Sequence, residues 1–82
     1  MKYTLVSVTD KNNNPKGDKD GCHYSTRIGQ EYNLDRLKIG VPYYFNPKSE
    51  NDTGLITSMV VDIDLENEMV FETLNTIYHF KR

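Results

Sequence analysis

Residues 55–73 carry the pattern that most constrains the fold, because apolar and polar side chains alternate along two consecutive segments. From Leu55 to Leu65 the odd positions are mostly apolar, whereas the even positions end in Asp62 and Asp64. Met69–Thr73 continues the alternation after a short polar break. A period of two residues is typical of a half-buried β-strand. The pattern therefore predicts two strands that form a hairpin.

The short break also predicts the register of this hairpin. Asn67 lies at its centre, and asparagine is the non-glycine residue that best tolerates a positive φ. A three-residue loop about Asn67 gives the pairs Leu65–Met69, Ile63–Phe71 and Val61–Thr73. A two-residue loop would mix the two faces, and a slip by one residue would expose a whole apolar set. The favoured register sets Asp62 opposite Glu72, a like-charge pair that is tolerable only if water or a cation covers it.

β-branched and aromatic residues alternate or cluster in four further segments, which predict strands at 3–9, 22–28, 41–45 and 76–80. Pro42 donates no amide hydrogen bond, so it is expected at a strand start or at a sheet edge. Asn33 can cap a turn that holds Leu34 and Leu37 together. The stretch 10–21 is polar, contains Asn, Pro and Gly, and predicts a long loop.

The order of these elements leads to the expected fold. Eighty-two residues can bury one small core, so a single domain spanning 1–82 is expected. Five or six short strands favour a small barrel or a curled antiparallel sheet. The order is similar to that of an SH3-like barrel, with 10–21 in place of its long first loop and Leu74-Asn75 in place of its 3₁₀ turn. The prediction is a mostly β fold, either an SH3-like barrel or a curled antiparallel sheet.

Cysteine use and hydropathy bear on location. Cys22 is the single cysteine, which excludes an intrachain disulfide and is typical of a reducing compartment. The first residues start directly with a strand pattern instead of a signal peptide. No apolar run approaches the roughly 18 residues of a membrane span. The expected location is therefore cytoplasmic, with no membrane partner.

Charge is distributed unevenly, although the formal net charge is only −2. Residues 1–48 contain eight Lys or Arg and five acids, whereas residues 49–80 contain seven acids and no Lys or Arg. Five of those acids lie on or near the predicted hairpin, namely Asp62, Asp64, Glu66, Glu68 and Glu72. An acidic surface of this kind attracts a basic partner and speeds association at low salt. The hairpin acids are therefore the first candidate site, with a protein as the expected partner.

Three stretches of the carboxyl-terminal half carry a resemblance at the level of sequence. They are Ile-Gly-Val-Pro-Tyr-Tyr-Phe from position 39, Gly-Leu-Ile-Thr-Ser-Met-Val from position 54, and Phe-Glu-Thr-Leu-Asn-Thr-Ile-Tyr from position 71. With these stretches, residues 39–80 resemble short uncharacterised proteins of phages and prophages of Gram-positive bacteria. The resemblance implies a mobile-element origin and a product that binds something, and it carries no site residues.

Residue types with metal-binding or catalytic chemistry do not form a complete pattern. The loop from Asp10 begins like a calcium loop, but Pro15 stands where glycine is needed and Gly21 where a bidentate glutamate is needed. Cys22 and His23 are adjacent and would point to opposite faces of a strand, which argues against a shared zinc ion. No phosphate-binding glycine loop or nucleophile elbow is present. We therefore expect no metal, no cofactor and no enzyme activity.

A second candidate site is an aromatic patch of Tyr24, Tyr32 and Tyr44 near the first loop. Tyrosine offers a large contact area at low entropic cost and can stack on a base. The leading hypothesis is a non-enzymatic module that binds and blocks a basic partner surface through its acidic hairpin. The alternative is a binder of a small ligand or single-stranded nucleic acid, although the acidic chain argues against nucleic acid. An unpaired edge beside Pro42 leaves a homodimer open.

Overall fold

The computed structural model describes residues 2–18, 23–47, 50, 54–66 and 68–82. Its strands are β1 (Lys2–Thr9), β2 (Glu31–Asn33), β3 (Pro42–Phe45), β4 (Leu55–Asp64), β5 (Met69–Thr73) and β6 (Ile77–Lys81). They pair antiparallel in the order β2-β1-β6-β5-β4-β3 and curl into a nearly closed barrel, which confirms the mostly β fold expected from the sequence. Within the described residues, no helix is long and apolar enough to cross a membrane.

The connection between β5 and β6 distinguishes the two expected forms of the fold. Leu74-Asn75 forms a tight turn in which the Thr73 amide donates to the Thr76 carbonyl at 2.8 Å. β5 and β6 therefore pair directly as a hairpin, with Phe71 opposite Tyr78. An SH3-like order, which would have a 3₁₀ turn at this point, receives no support. The chain instead matches the curled antiparallel sheet.

The core consists mainly of aromatic side chains that alternate strand positions direct inward. Phe45, Phe71 and Phe80 have no exposed surface. The Phe45 ring centroid lies 4.9 Å from that of Tyr32 and 5.3 Å from that of Tyr78. Aromatic pairs at such distances contribute about 0.5–1.5 kcal/mol beyond the burial of their area. Because Tyr32 is on β2 and Phe45 is on β3, these rings join the two ends of the sheet through the core.

A β-bulge in β4 changes which side chains face the core. The register with β5 shifts between Val60 and Asp62, so Val60 lies opposite Thr73. The predicted Val61–Thr73 pair is wrong, because the bulge inserts one residue that turns Val61 outward and Val60 inward. The register confirms two expected pairs, Ile63–Phe71 and Asp62–Glu72. The loop centre at Asn67 lies outside the described residues.

Two further register shifts occur elsewhere in the sheet. One lies in β1 between Leu5 and Ser7, so that Leu5 and Val8 are both buried although they differ in parity. The other lies in the β3–β4 ladder between Pro42 and Tyr44. Bulges bend a strand and increase its local twist. Six short strands can therefore curl almost into a closed barrel.

The strand predicted at 22–28 is wrong, because the described part of that segment forms a turn. The Asp18 carboxylate accepts hydrogen bonds from the Tyr24 and Ser25 amides at 2.8 and 2.9 Å. At the end of the turn, Gly29 takes a positive φ of 91°, which glycine adopts without strain. Such local bonds offer the backbone an alternative to sheet pairing. Cys22 itself lies outside the described residues.

Asp18 is expected to stabilise the fold in a pH-dependent way. Hydrogen bonds from the Ser25 hydroxyl and amide hold the pKa of the Asp18 carboxyl below its usual value. The stabilisation is therefore complete above the unfolded-state pKa of about 3.9 and is lost as pH falls through the lower folded-state pKa. We expect Asp18→Ala to lower the Tm at about pH 7. The Tm gap from wild type should shrink toward about pH 2, as followed by circular dichroism.

Glu68→Ala is the matched control, because it also removes one carboxylate but from an exposed position at the hairpin end. Its Tm should stay close to that of wild type at both pH values. A gap for Asp18→Ala that remains constant across the acid range would contradict a role for the ionised carboxylate in holding the turn.

Candidate protein-interaction surface

The link from β2 to β3 positions the part of the sheet that carries the candidate surface. The Asn33 side chain accepts a hydrogen bond from the Asp35 amide at 3.0 Å, and the Leu37 amide donates to the Leu34 carbonyl at 3.0 Å. The turn predicted here is therefore confirmed. It returns the chain to Pro42, which begins β3 at one end of the sheet, as expected for a proline.

Apolar side chains cover the outer side of β3 and β4. Tyr44 lies opposite Ile56, and Pro42 lies opposite Met59. Ile56 is 69% exposed and Tyr44 is 45% exposed, so this side of the ladder is open to solvent. We call this surface the β3–β4 face, and we include in it the exposed side chains that lie within three positions of it along the chain. Its paired members are Pro42, Tyr44, Ile56 and Met59, and the adjoining members are Ile39, Val41 and Val61.

Backbone hydrogen bonds hold the beginning of the β3–β4 face in place. The Val60 amide donates to the Val41 carbonyl at 3.0 Å, and the Gly40 amide donates to the Val60 carbonyl at 2.9 Å. These bonds fix the segment before β3 alongside β4. Ile39 and Val41 consequently remain exposed, while the Val60 side chain fills the core.

Carboxylates border the β3–β4 face along the second half of β4. Asp62 and Asp64 are exposed there, and Glu66 and Glu68 are exposed where the hairpin ends. The Asp64 carboxylate accepts a hydrogen bond from the Glu66 amide at 2.9 Å. Four of the five predicted acids thus follow the exposed apolar residues along one hairpin.

Glu72, the fifth predicted acid, is paired within the molecule. Lys11 Nζ lies 2.5 Å from Glu72 Oε2, and it also donates to the Thr73 carbonyl. Lys11 belongs to the first loop, so this loop supplies a cation beside the Asp62–Glu72 pair, one of the two conditions under which that pair is tolerable. Glu72 is therefore less available to a partner than the other four acids.

The first loop, described over residues 10–18, is held by its own side chains. The Asp10 carboxylate accepts hydrogen bonds from the Asn14 and Asn12 amides at 3.0 and 2.8 Å, and these bonds lower the pKa of the carboxyl. Asp18 caps the next turn. The Asp10 and Asp18 carboxylates thus already accept backbone amides. Among the described residues, no group of three His, Cys, Asp or Glu side chains is placed to hold a metal ion.

The three tyrosines predicted as an aromatic patch do not lie together on the surface. Tyr24 and Tyr32 are buried in the core, where the Tyr24 ring centroid lies 6.5 Å from that of Tyr78. A chain with three phenylalanines and no tryptophan needs tyrosine rings to fill its core. Of the three, only Tyr44 is exposed, and it belongs to the β3–β4 face.

Sequence reasoning missed two features of the structure. Arg27 is only 2% exposed, and its guanidinium donates to the His23 carbonyl. Nothing in the local pattern signals this, because arginine is rarely buried. The second feature is the β3–β4 face, for which a signal was present. Ile56 and Val60 are apolar at even positions, so residues 55–61 hold more apolar side chains than one side of a strand can bury.

The β3–β4 face and its four acids form the candidate site. They place exposed apolar area and carboxylates side by side on one surface of the sheet. Comparisons with protein-family models, with curated proteins and with solved structures gave no match, so the assignment depends on this geometry.

Proposed function

We propose that this chain is a non-enzymatic protein-interaction module that binds a basic protein surface. The site is the β3–β4 face together with the four acids beside it. The observation that carries the proposal is the exposure of Ile56 and Met59 on the strand that also exposes Asp62 and Asp64. Exposed apolar patches rimmed by polar residues mark interaction sites. A partner with basic side chains around an apolar centre complements both parts.

The two parts of this surface have different roles. Burial of the apolar side chains supplies affinity, at about 25 cal/mol per Å² of area removed from water. The carboxylates attract and orient a basic partner, and they disfavour an acidic one. Exposed charges are screened by salt, so association should slow as ionic strength rises. Glu72 contributes less to this role than the other four acids, because Lys11 already pairs with it.

The proposed mode of action is occupation of the partner's site. Where that basic site normally binds nucleic acid, the module competes for it and inhibits the partner. The resemblance of residues 39–80 to phage and prophage proteins implies a mobile-element origin. A small blocking protein is consistent with that origin.

Charge reversal beside the β3–β4 face tests the proposal. Asp62→Lys combined with Asp64→Lys reverses two charges there, whereas Glu31→Lys combined with Glu50→Lys changes the net charge equally at other exposed positions. Wild type and both variants are immobilised and exposed to a lysate of the organism that carries the gene. Bound proteins are identified by mass spectrometry. We expect wild type and the control to retain the same basic proteins, and the first variant to lose them at least tenfold.

Met59→Asp tests the apolar part of the site and should cause a similar loss. Thermal melting verifies that each variant remains folded. Retention of the same proteins by all four baits would contradict the proposal. So would a set of differentially retained proteins that is acidic.

A further inference from the structure

The backbone of β3 presents one free edge. Tyr43 and Phe45 direct backbone groups toward β4. The Tyr43 amide donates to Thr57 Oγ1 on β4 at 2.9 Å. The Phe45 carbonyl oxygen points to Gly54, just before β4, and is 3.0 Å from the position that a Cβ would take there. Successive residues of a strand direct their backbone groups to opposite edges. The Tyr44 amide and carbonyl therefore point away from β4. Among the strands that the structure describes, none pairs with this edge.

Pro42 is the other β3 residue whose backbone groups point away from β4. Its backbone has no N–H, so the edge carries no unmet donor at this position, and its carbonyl remains an acceptor. An edge that offers the amide of Tyr44 and the carbonyls of Pro42 and Tyr44 can exchange hydrogen bonds with a short added strand.

A groove of about 580 Å³ runs along this edge, where the barrel does not close. Pro42 and Tyr44 form one wall, and Asn33, Asp35 and Arg36 form part of the other. Across the gap, the Tyr43 hydroxyl donates to the Asn33 carbonyl at 3.2 Å. This bond engages an acceptor at the end of β2, so the edge of β3 is the better template for an added strand.

We infer that the basic partner binds by adding an extended segment to the free edge of β3. This inference rests on the proposed function and specifies the form of the partner. Side chains of one parity would lie beside Pro42 and Tyr44, next to the β3–β4 face, and should be basic or apolar. Side chains of the other parity would point into the groove beside Asn33, Asp35 and Arg36 and should be small and polar. Main-chain hydrogen bonds then supply affinity, and alternate side chains supply specificity.

A nine-residue probe peptide, Lys-Thr-Val-Thr-Lys-Thr-Val-Thr-Lys, has this alternation. Two derivatives carry four N-methyl groups each. The first is methylated at the amides of its four threonines. The second is methylated at the amides of its two valines and of its second and third lysines. In antiparallel addition, the residue opposite Tyr44 has its side chain on the same side and exchanges both hydrogen bonds with it. Methylation of the Val and Lys amides should therefore weaken binding at least tenfold by fluorescence polarisation. Methylation of the threonines should leave affinity within about threefold.

Amide hydrogen exchange provides an independent readout on the protein. In the free protein, the Tyr44 amide should exchange faster than those of Tyr43 and Phe45. The parent peptide should slow exchange at Tyr44 and leave the other two unchanged. Equal protection of all three amides before peptide is added would overturn the inference.

The remaining outcomes separate this inference from the proposed function. Equal binding of the parent and both methylated peptides would exclude strand addition. Failure of the parent peptide to bind at millimolar concentration would exclude it as well. In either case, loss of basic partners from the Asp62→Lys and Asp64→Lys bait would still support the proposed function. A third outcome is that methylation of the Val and Lys amides weakens binding and methylation of the threonines does not, while the lysate yields no charge-dependent partner. That outcome would support an edge site but not a basic partner.

Discussion

Replacing Phe45 with alanine is expected to lower the free energy of unfolding by about 3–5 kcal/mol. Phe45 is fully buried, and its ring centroid lies 4.9, 5.0 and 5.3 Å from those of Tyr32, Tyr43 and Tyr78. Alanine would leave a cavity where rings from β2, β3 and β6 meet. A domain of this length has a total stability of about 4–12 kcal/mol. The substitution should therefore remove much of the margin, with a Tm decrease of roughly 15–30 °C.

Ile56→Ala is the matched control, because it truncates an apolar side chain on the neighbouring strand that faces solvent. Ile56 is 69% exposed, so the free energy of unfolding of the Ile56→Ala variant should differ from that of wild type by no more than about 0.5 kcal/mol. Both variants are measured by urea denaturation and by heating. Similar midpoints for the two variants would show that the aromatic cluster does not hold the ends of the sheet together.

The part of the β4–β5 hairpin nearest its loop could be predicted from the sequence, because its pattern favours one register over the alternatives. Alternation from Leu55 onward, together with the cost of exposing a whole apolar set, predicts the Ile63–Phe71 pair that the structure contains. The same register predicts Asp62 opposite Glu72, a like-charge pair that water or a cation must cover. In the structure Lys11 supplies a cation to Glu72, although the two residues are sixty-one positions apart in sequence.

Bulges could not be predicted in the same way. Val60 and Val61 are identical side chains, and either one can occupy a core position of a strand. Their order is decided by the curl of the whole sheet, which turns Val60 inward and leaves Val61 37% exposed. Local alternation contains no information about that curl.

Only the acidic part of the candidate site could be predicted from the sequence. Acids are recognised by type, so Asp62 and Asp64 could be assigned to a surface from their alternation with Ile63. Tyrosine has an apolar ring and a polar hydroxyl, and both environments are ordinary for it. The burial of Tyr24 and Tyr32 and the exposure of Tyr44 therefore depend on tertiary packing. Exposure of the apolar residues of the β3–β4 face likewise depends on which strand lies at the end of the sheet.

Gly54→Ala is expected to cost about 2–4 kcal/mol, because the added methyl group meets two separate penalties. Gly54 has a φ of +77°, a left-handed conformation that costs an L-residue about 1–2 kcal/mol. Its Cβ would also lie 2.6 Å from the Tyr44 hydroxyl oxygen and 3.0 Å from the Phe45 carbonyl oxygen. Displacing these groups costs about 1 kcal/mol or more. The hydroxyl end of the Tyr44 ring therefore lies against Gly54 because Gly54 has no side chain.

Two variants separate these penalties. Gly29→Ala should cost only the conformational part, because Gly29 has a φ of +91° and nothing within 4 Å of an added Cβ. In a double-mutant cycle, Tyr44→Ala should recover about 1 kcal/mol of the Gly54→Ala cost, since it removes the ring but not the left-handed strain. Equal costs for Gly54→Ala and Gly29→Ala, or no coupling between positions 44 and 54, would show that the ring does not rest on Gly54.

The same substitution connects stability to the proposed site. Lifting the Tyr44 ring changes one residue of the β3–β4 face and disturbs the backbone that forms the free edge of β3. Gly54→Ala should therefore weaken binding of the unmethylated nine-residue probe peptide, measured at a temperature where the variant is still folded. Gly29→Ala alters the turn before β2, outside the β3–β4 face, and should bind the probe as wild type does. Equal probe affinity for the two glycine variants would mean that the position of Tyr44 does not contribute to the edge site.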